Sequence, residues 1–378
     1  MDYDKLSLQL HQQYKGKVAI QSKVPLHSQE DLSIYYTPWV AAPCLAIAQN
    51  PQLAYQYTRK GNTIAVISDG TAVLGLGNIG WLAWLPVMEG KAILFKEFGW
   101  VDAIPIILKT QDPDEIIMII ENIAPTFGAI NLEDIKAPQC FYIEEELKKR
   151  CDIPILHDDQ HGAAIVVLAW LINALPLAQK KIADIKIVIA GAGAAGIAIT
   201  KLLSSYGANN IVLLDSQGAT CSVRQWLNPY KLATQRLNKD DQCWSLEEVI
   251  INADVFIGVS KANILTPGHI QQMNHHPIVF ALSNPNPEIE PHLALQAGVF
   301  ILATGRSDFP NQINNVLAFP GLMRGALDAK ITQFEQKHFI AAAHAIATHQ
   351  PHPTPTHIMP SLLDKTVASA VAQAVMSA

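Results

Sequence analysis

The sequence predicts an α/β protein of two domains: an N-terminal α/β domain, then a Rossmann-type, doubly wound parallel sheet. Three observations carry this. The apolar run Ile185 to Ala190 leads straight into Gly191-Ala192-Gly193-Ala194-Ala195-Gly196 and a helical segment through Leu203. The next apolar run, Asn210 to Asp215, ends in an acid at the distance a dinucleotide-binding βαβ unit needs. In such a unit the glycines let the backbone approach a pyrophosphate at a helix N-terminus, and the acid accepts hydrogen bonds from a ribose diol. The third observation is a pair of acidic doublets, Glu133-Asp134 and Asp158-Asp159, each closing a short apolar run. Between them residues 138–150 read as a helix, with Glu144 to Glu146 ahead of Lys148, Lys149 and Arg150, a polarity that suits the helix dipole. This is a second parallel βαβ unit, with both doublets at the carboxyl ends of its strands.

Composition bounds the function. The 378 residues are enough for two cores, and 49% hydrophobic with 16% charged residues fits a well-buried globular chain. A net charge of −6 without a lysine or arginine run argues against a nucleic-acid or anionic-membrane surface. The five cysteines are widely spaced with no Cys-x-x-Cys pair, and read as free thiols of a reducing compartment. Residues 1–14 are polar and charged, unlike a signal peptide. The longest apolar stretch, 163–177, holds Asn173 and Pro176 and reads as too short for a bilayer. The expectation is a soluble, cytoplasmic protein.

Along the chain, residues 1–30 read as an amphipathic helix (Leu6, Leu8, Leu10) and a basic extended segment (Lys15, Lys17, Lys23), either an ordinary terminal helix or an arm for a partner subunit. Thr37 and Pro38 suit the N-cap and first position of a helix through Gln49. That leaves Tyr36 just outside, either facing a pocket or packed in a core. Segments 63–68 and 71–74 around Asp69-Gly70 predict a hairpin. The following Gly75 to Gly80 matches G-x-G-x-x-G, but it lacks a following strand that ends in an acid, so it reads as a turn opening a helix. That helix carries Lys91, whose spacing alone suits a snorkelling surface lysine. Four carboxylates gathered at one sheet edge repel unless a cation joins them, and hard oxygen ligands favour magnesium or manganese over zinc. The alternative is that they cap helices and face water.

Residues 162–175 read as a buried helix linking the domains. Later strands at 254–259, 277–282 and 299–303 fit the second sheet, and Asn284, at the carboxyl end of one of them, is well placed to bind cofactor or substrate. Asn311, Asn314 and Asn315 lie in a polar loop, where asparagine is ordinarily a turn former. His352 and His357 stand among prolines, either as a metal site or, the favoured reading, in a rigid surface linker, and 361–378 reads as a small apolar helix that docks on a core. The expected divisions are 1–160, 161–350, and a 351–378 tail whose helix returns to the first domain.

With these pieces in view, nearly the whole chain resembles the short bacterial malic enzymes. The matching motifs are Tyr36-Thr37-Pro38, residues 69–80, Met88 to Lys91, Leu132-Glu133-Asp134, His157 to Gly162, the 191–196 glycines, Ser283-Asn284-Pro285 and Thr304 to Asn315. The resemblance implies oxidative decarboxylation of (S)-malate to pyruvate and CO2, with NAD or NADP and Mg2+ or Mn2+. It implies Tyr36 as proton donor, Lys91 as general base, and Glu133, Asp134 and Asp159 as metal ligands. Asp158 is the carboxylate beside Lys91, and Asn284 and Asn315 contact substrate; a homodimer is implied too. In this chemistry Lys91 removes the hydroxyl proton, which needs its pKa drawn from about 10.4 toward about 7–8. Asp158 then orients Lys91 and relays its proton. Trp39, Trp81, Leu82 and Ala163 depart from the family pattern, and Gln217 stands where many relatives carry lysine, which favours NAD. The rival expectations are malolactic decarboxylation to lactate with bound NAD, and a catalytically impaired NAD-binding sensor.

Overall fold

The computed structural model describes residues 2–72 and 80–378. Among the described residues two sheets organise the chain. The first has the order β2-β1-β3-β4, all parallel, from β1 (Thr63–Ser68), β2 (Asp102–Ile107), β3 (Ala129–Leu132) and β4 (Ile155–His157). The second has the order β10-β9-β8-β5-β6-β7. Its strands are β5 (Ile187–Ala190), β6 (Ile211–Asp215), β7 (Gly218–Ala219), β8 (Val255–Gly258), β9 (Ile278–Ala281) and β10 (Ile301–Thr304), with only β7 antiparallel. β5, β8 and β9 are buried on both faces, as near-continuous apolar runs require. Strand order reverses between β5 and β8, the switch point where open sheets bind ligands, and the 191–196 turn sits there. Both expected βαβ units are present: β3, helix Gln139–Arg150 and β4, then β5, helix Ala194–Ser205 and β6.

The helix Asp158–Leu177 joins the halves. It starts at Asp158, five residues before its apolar run at Ala163, so the second doublet forms its first turn rather than a loop. By length and composition it could cross a membrane, so the reading of this stretch as too short is corrected; it is a core helix, packed on Ala194–Ser205 and Gln336–Thr348. The last helix, Lys365–Ser377, packs on Phe319–Ala329, Gln336–Thr348 and Leu85–Gly99. Lys365 also donates to Glu97 of that last partner at 2.6 Å.

Three expectations fail for identifiable reasons. β1 pairs in parallel with β2 on one side and β3 on the other, so no edge is left for a hairpin partner; residues 73–79, with most of the G-x-G-x-x-G match, lie outside the described residues. Thr37-Pro38 does not start a helix: Ala41–Gln49 begins three residues later, after a turn in which the Trp39 amide donates to Ser33. Cys221 and Cys243 form a disulfide, because the chain after β7 comes back along it (Ala219 N–H to Trp244 O, 3.0 Å), and only Cys44, Cys140 and Cys151 are free thiols.

Candidate active site

The carboxyl ends of β3 and β4 and the glycine turn after β5 open on one cleft of about 580 Å³. Asp134, Asp159, Gly193, Ala194, Ala195, Asn284 and Asn315 line it. Among the described residues, one acid of each doublet therefore shares this space with the glycine turn.

Lys91 is brought in by its helix. Met88, Lys91, Ala92 and Phe95 are the buried face of Leu85–Gly99, at the spacing of one helical stripe. The lysine is thus buried, not snorkelling. Its Nζ donates to Glu133 Oε1 at 2.9 Å and to Asp158 Oδ2, and lies 3.9 Å from the centre of the Phe319 ring. Burial opposes the ammonium, but the charges of Asp158 and Glu133 outweigh it and hold Lys91 above its ordinary range.

Each carboxylate has its own donors. Glu133 also accepts from Asn131 Nδ2 at 2.7 Å. Asp134, in left-handed backbone (φ 53), accepts from the Trp84 indole at 2.8 Å. Its amide donates to Asp159 Oδ2 at 2.7 Å. Asp158 accepts from Asn315 Nδ2, while its Oδ1 is buried without a partner. Four carboxylates face one ammonium. Burial, then mutual repulsion, pushes Glu133, Asp134 and Asp159 upward, and burial pushes Asp158 to about 6. The helix N-terminus under Asp158 and Asp159 favours their charged forms.

An all-oxygen donor set with surplus negative charge fits a hard divalent cation. The three expected ligands are not gathered to a point, however. Among the described residues the trio with ligand atoms within 4.8 Å of one another is Cys221, Asp241 and Cys243, and the first and last of these are disulfide-bonded. Asp134 and Asp159 face the cleft, while Glu133 is drawn aside by Lys91 and Asn131.

The glycine turn fits a dinucleotide. A Cβ on Gly196 would stand 1.7 Å from Gly191 O, and one on Gly191 would stand 2.5 Å from Val259 O, so these two glycines are required by packing. A Cβ on Gly193 would meet nothing within 4 Å, which leaves open space over the N-terminus of the 194–205 helix.

Lys91, Glu133, Asp134, Asp158, Asp159, Asn284, Asn315 and the 191–196 turn are therefore brought together. Tyr36 is not: it caps the helix Gln29–Tyr35, is 70% exposed and does not line the cleft. Trp39, 66% exposed, does not line it either, whereas Ala163 does. Asp215 ends β6 as expected but is occupied by Arg224 and Lys231.

Sequence reasoning missed the supporting side chains Trp84, Asn131 and Phe319. It also missed Glu144, a buried carboxylate that accepts from the His157 amide, Gln160 and His161 and so ties the 139–150 helix to the turn bearing Asp158 and Asp159. Burial would raise Glu144, but His161 and Lys148 hold it well below the usual range. Both nitrogens of fully buried His157 lack partners, and burial draws it down to about 4, so it is neutral. The one hint in the sequence was the i, i+4 pairing of Glu144 with Lys148.

Comparison with known proteins adds the following. Residues 15–148 match the malic enzyme N-terminal domain, and residues 160–378 the malic enzyme NAD binding domain. The chain is 52% identical over 376 residues to the bifunctional malic/malolactic enzyme of Bacillus subtilis (98% of this chain, 92% of the relative). It is 53% identical over 366 residues to the NAD-dependent malic enzyme of Geobacillus stearothermophilus (96% and 76%). The crystal structure of an NAD-dependent malic enzyme from Thermotoga maritima superposes with a TM-score of 0.95 at 46% identity, over 98% of each chain.

Proposed function

The chain belongs to the malic enzyme family, and we propose that this cleft oxidatively decarboxylates malate to pyruvate and CO2 while reducing NAD(P). The observation that carries the reading is a buried lysine held by Glu133 and Asp158, with their neighbours Asp134 and Asp159 lining the cleft that the glycine turn also lines. A divalent cation held by Glu133, Asp134 and Asp159 would supply Lewis-acid polarisation, and a dinucleotide over Gly193 would accept the hydride.

The rest falls to the chain's own residues. Lys91 takes the hydroxyl proton of malate. It can do so only when one of its two carboxylate partners turns away, and Glu133, as a ligand of the cation, would be that partner. Asp158 then orients Lys91 and relays its proton. Asn284 and Asn315 donate to the substrate's oxygens, and Phe319 keeps water from beneath the ammonium.

Tyr36 is the proton donor of this scheme and reaches the cleft from a second copy of the chain. Nothing from residue 2 to 62 is buried, and this arm exposes Leu8, Ile20, Leu26, Tyr36, Trp39 and Leu45. Apolar surface on that scale marks an interaction site, and a homodimer would cover it. Mixing Tyr36→Phe and Lys91→Ala chains, each inactive alone, is expected to restore turnover in mixed dimers; mixtures as inactive as their parts would remove Tyr36 from this role. We also retain the division at residues 160 and 350, on the support of the two separate sheets.

The test is product analysis with malate and Mn2+. Pyruvate and reduced dinucleotide in equal amounts are expected. Lactate without net reduction would make the chain a malolactic enzyme, the second activity in the name of the Bacillus subtilis relative. Dinucleotide binding without any product would make it a sensor.

A further inference from the structure

Asp215 was assigned to a ribose diol, but it has nothing left to offer one. Its Oδ1 accepts from Arg224 Nη1 at 2.8 Å and from the Gln217 amide at 2.9 Å. Its Oδ2 accepts from Arg224 Nη2 at 3.1 Å and from Lys231 Nζ at 2.7 Å. A carboxylate has about four lone-pair sites, and four donors fill them. Burial would raise its pKa, but the hydrogen bonds from Arg224 and Lys231 hold it at about 2, so it stays ionised and paired.

The surplus lies with the cations. Two positive side chains meet one negative, so the end of β6 carries net positive charge. Lys231 spends one of its three ammonium protons on Asp215, and the Arg224 guanidinium is fixed broadside by Gly218 O and Ala219 O as well. Gln217 Oε1 accepts from Arg224 Nη2 at 3.1 Å, so it orients the guanidinium without neutralising it. The loop carrying both cations is pinned by the Cys221–Cys243 disulfide, by Gln235 donating to Cys221 O, and by Asn238 donating to Thr220 O. The arrangement is thus built in advance. β6 lies beside the glycine turn (Gly191 N–H to Leu214 O, 2.9 Å), which is the adenosine end of a dinucleotide bound there.

We infer that Arg224 and Lys231 are specificity-determining residues for the dinucleotide's 2′ position, and that the group they take is a phosphate, so the chain prefers NADP. This rests on the dinucleotide-binding reading above and reverses the expectation drawn from Gln217. A 2′-phosphate offers acceptors to the two ammonium protons Lys231 has left and offsets the excess charge. To that excess Arg224 contributes its guanidinium charge, while its Nη protons stay on Asp215, Gln217, Gly218 O and Ala219 O. A 2′-hydroxyl must instead compete with two cations for a saturated carboxylate.

The test is equilibrium binding, by calorimetry on the full chain, of NAD, NADP, ADP-ribose and 2′-phospho-ADP-ribose. The phosphorylated member of each pair is expected to bind about ten- to a hundredfold tighter, the range of a charge-assisted contact. Lys231→Gln, which keeps length and loses charge, is expected to remove about tenfold of that ratio, and Arg224→Gln more. Raising the salt concentration should shrink the ratio in the wild type. Because Arg224 braces the loop, its variant could fail to fold; Lys231→Gln and the salt series then decide. Equal or tighter binding of the unphosphorylated ligands, or a preference untouched by Lys231→Gln, overturns the inference alone. If none of the four ligands binds, the dinucleotide reading falls with it.

Discussion

Lys91→Met is expected to lower kcat by about 10²–10⁴-fold, the contribution of a positioned acid–base group. It is also expected to cost roughly 3–5 kcal/mol of stability, because removing one partner of a buried ion pair leaves the other uncompensated. Here two buried carboxylates, Glu133 and Asp158, lose their ammonium together. Lys91→Arg separates the two losses. A guanidinium keeps the charge but does not surrender a proton near neutral pH. It should recover part of the stability and none of the turnover, as read by urea denaturation beside initial rates. Asp158→Asn should lower turnover with cation affinity unchanged, since Asp158 touches Lys91 and Asn315. Full activity in Lys91→Met would end the proposed base, and full activity in Asp158→Asn the proposed relay.

Gly162→Ala is expected to lower turnover by about 10²-fold while the protein stays folded. In an ordinary helix interior this change stabilises by roughly 0.5–1 kcal/mol. At 162, however, a Cβ would stand 2.0 Å from Asp158 Oδ1 and 3.2 Å from Asn315 Cβ. Asp158 is fully buried and held by Lys91 and Asn315, so it cannot swing into water to make room. The carboxylate and its two partners must shift together, and a misplacement of about 1 Å is enough for a loss of this size. The check is kcat beside a melting curve. A variant more stable than wild type with unchanged kcat would mean that the position of Asp158 does not matter.

These two residues mark where sequence reasoning reaches its limit. The βαβ units around 129–157 and 187–215 were legible because their signals are local: an apolar run, a helical stretch and an acid or glycine turn at fixed distances. Lys91 was not legible as a buried base, because one helical stripe at Met88, Ala92 and Phe95 serves a snorkelling lysine equally well. Only the resemblance pointed to it. The hairpin expected at 63–74 followed a real Asp-Gly turn signal. Tertiary pairing overrode it, since β1 takes both neighbours from residues 102–107 and 129–132. Gly162 was read only as the end of a motif, and its reason for being glycine is the Asp158 rotamer above it. Arg224, Lys231, Cys221 and Cys243 stand on irregular chain after β7, where no periodicity says which side chains meet. Tyr36 was named by the resemblance, and one chain alone leaves it on the surface.

Mn2+ titration followed by the electron paramagnetic resonance of free ion, on wild type and on Asp159→Asn, bears most directly on the claim that Glu133, Asp134 and Asp159 form one cation site facing the glycine turn. Asp159 lines the cleft and contacts the amide of Asp134 without touching Lys91. One ion per wild-type chain is expected, with binding weakened by about tenfold or more in the variant, the scale of a lost charge-assisted contact. Equal affinity in the two proteins, or no bound ion in either, would contradict it.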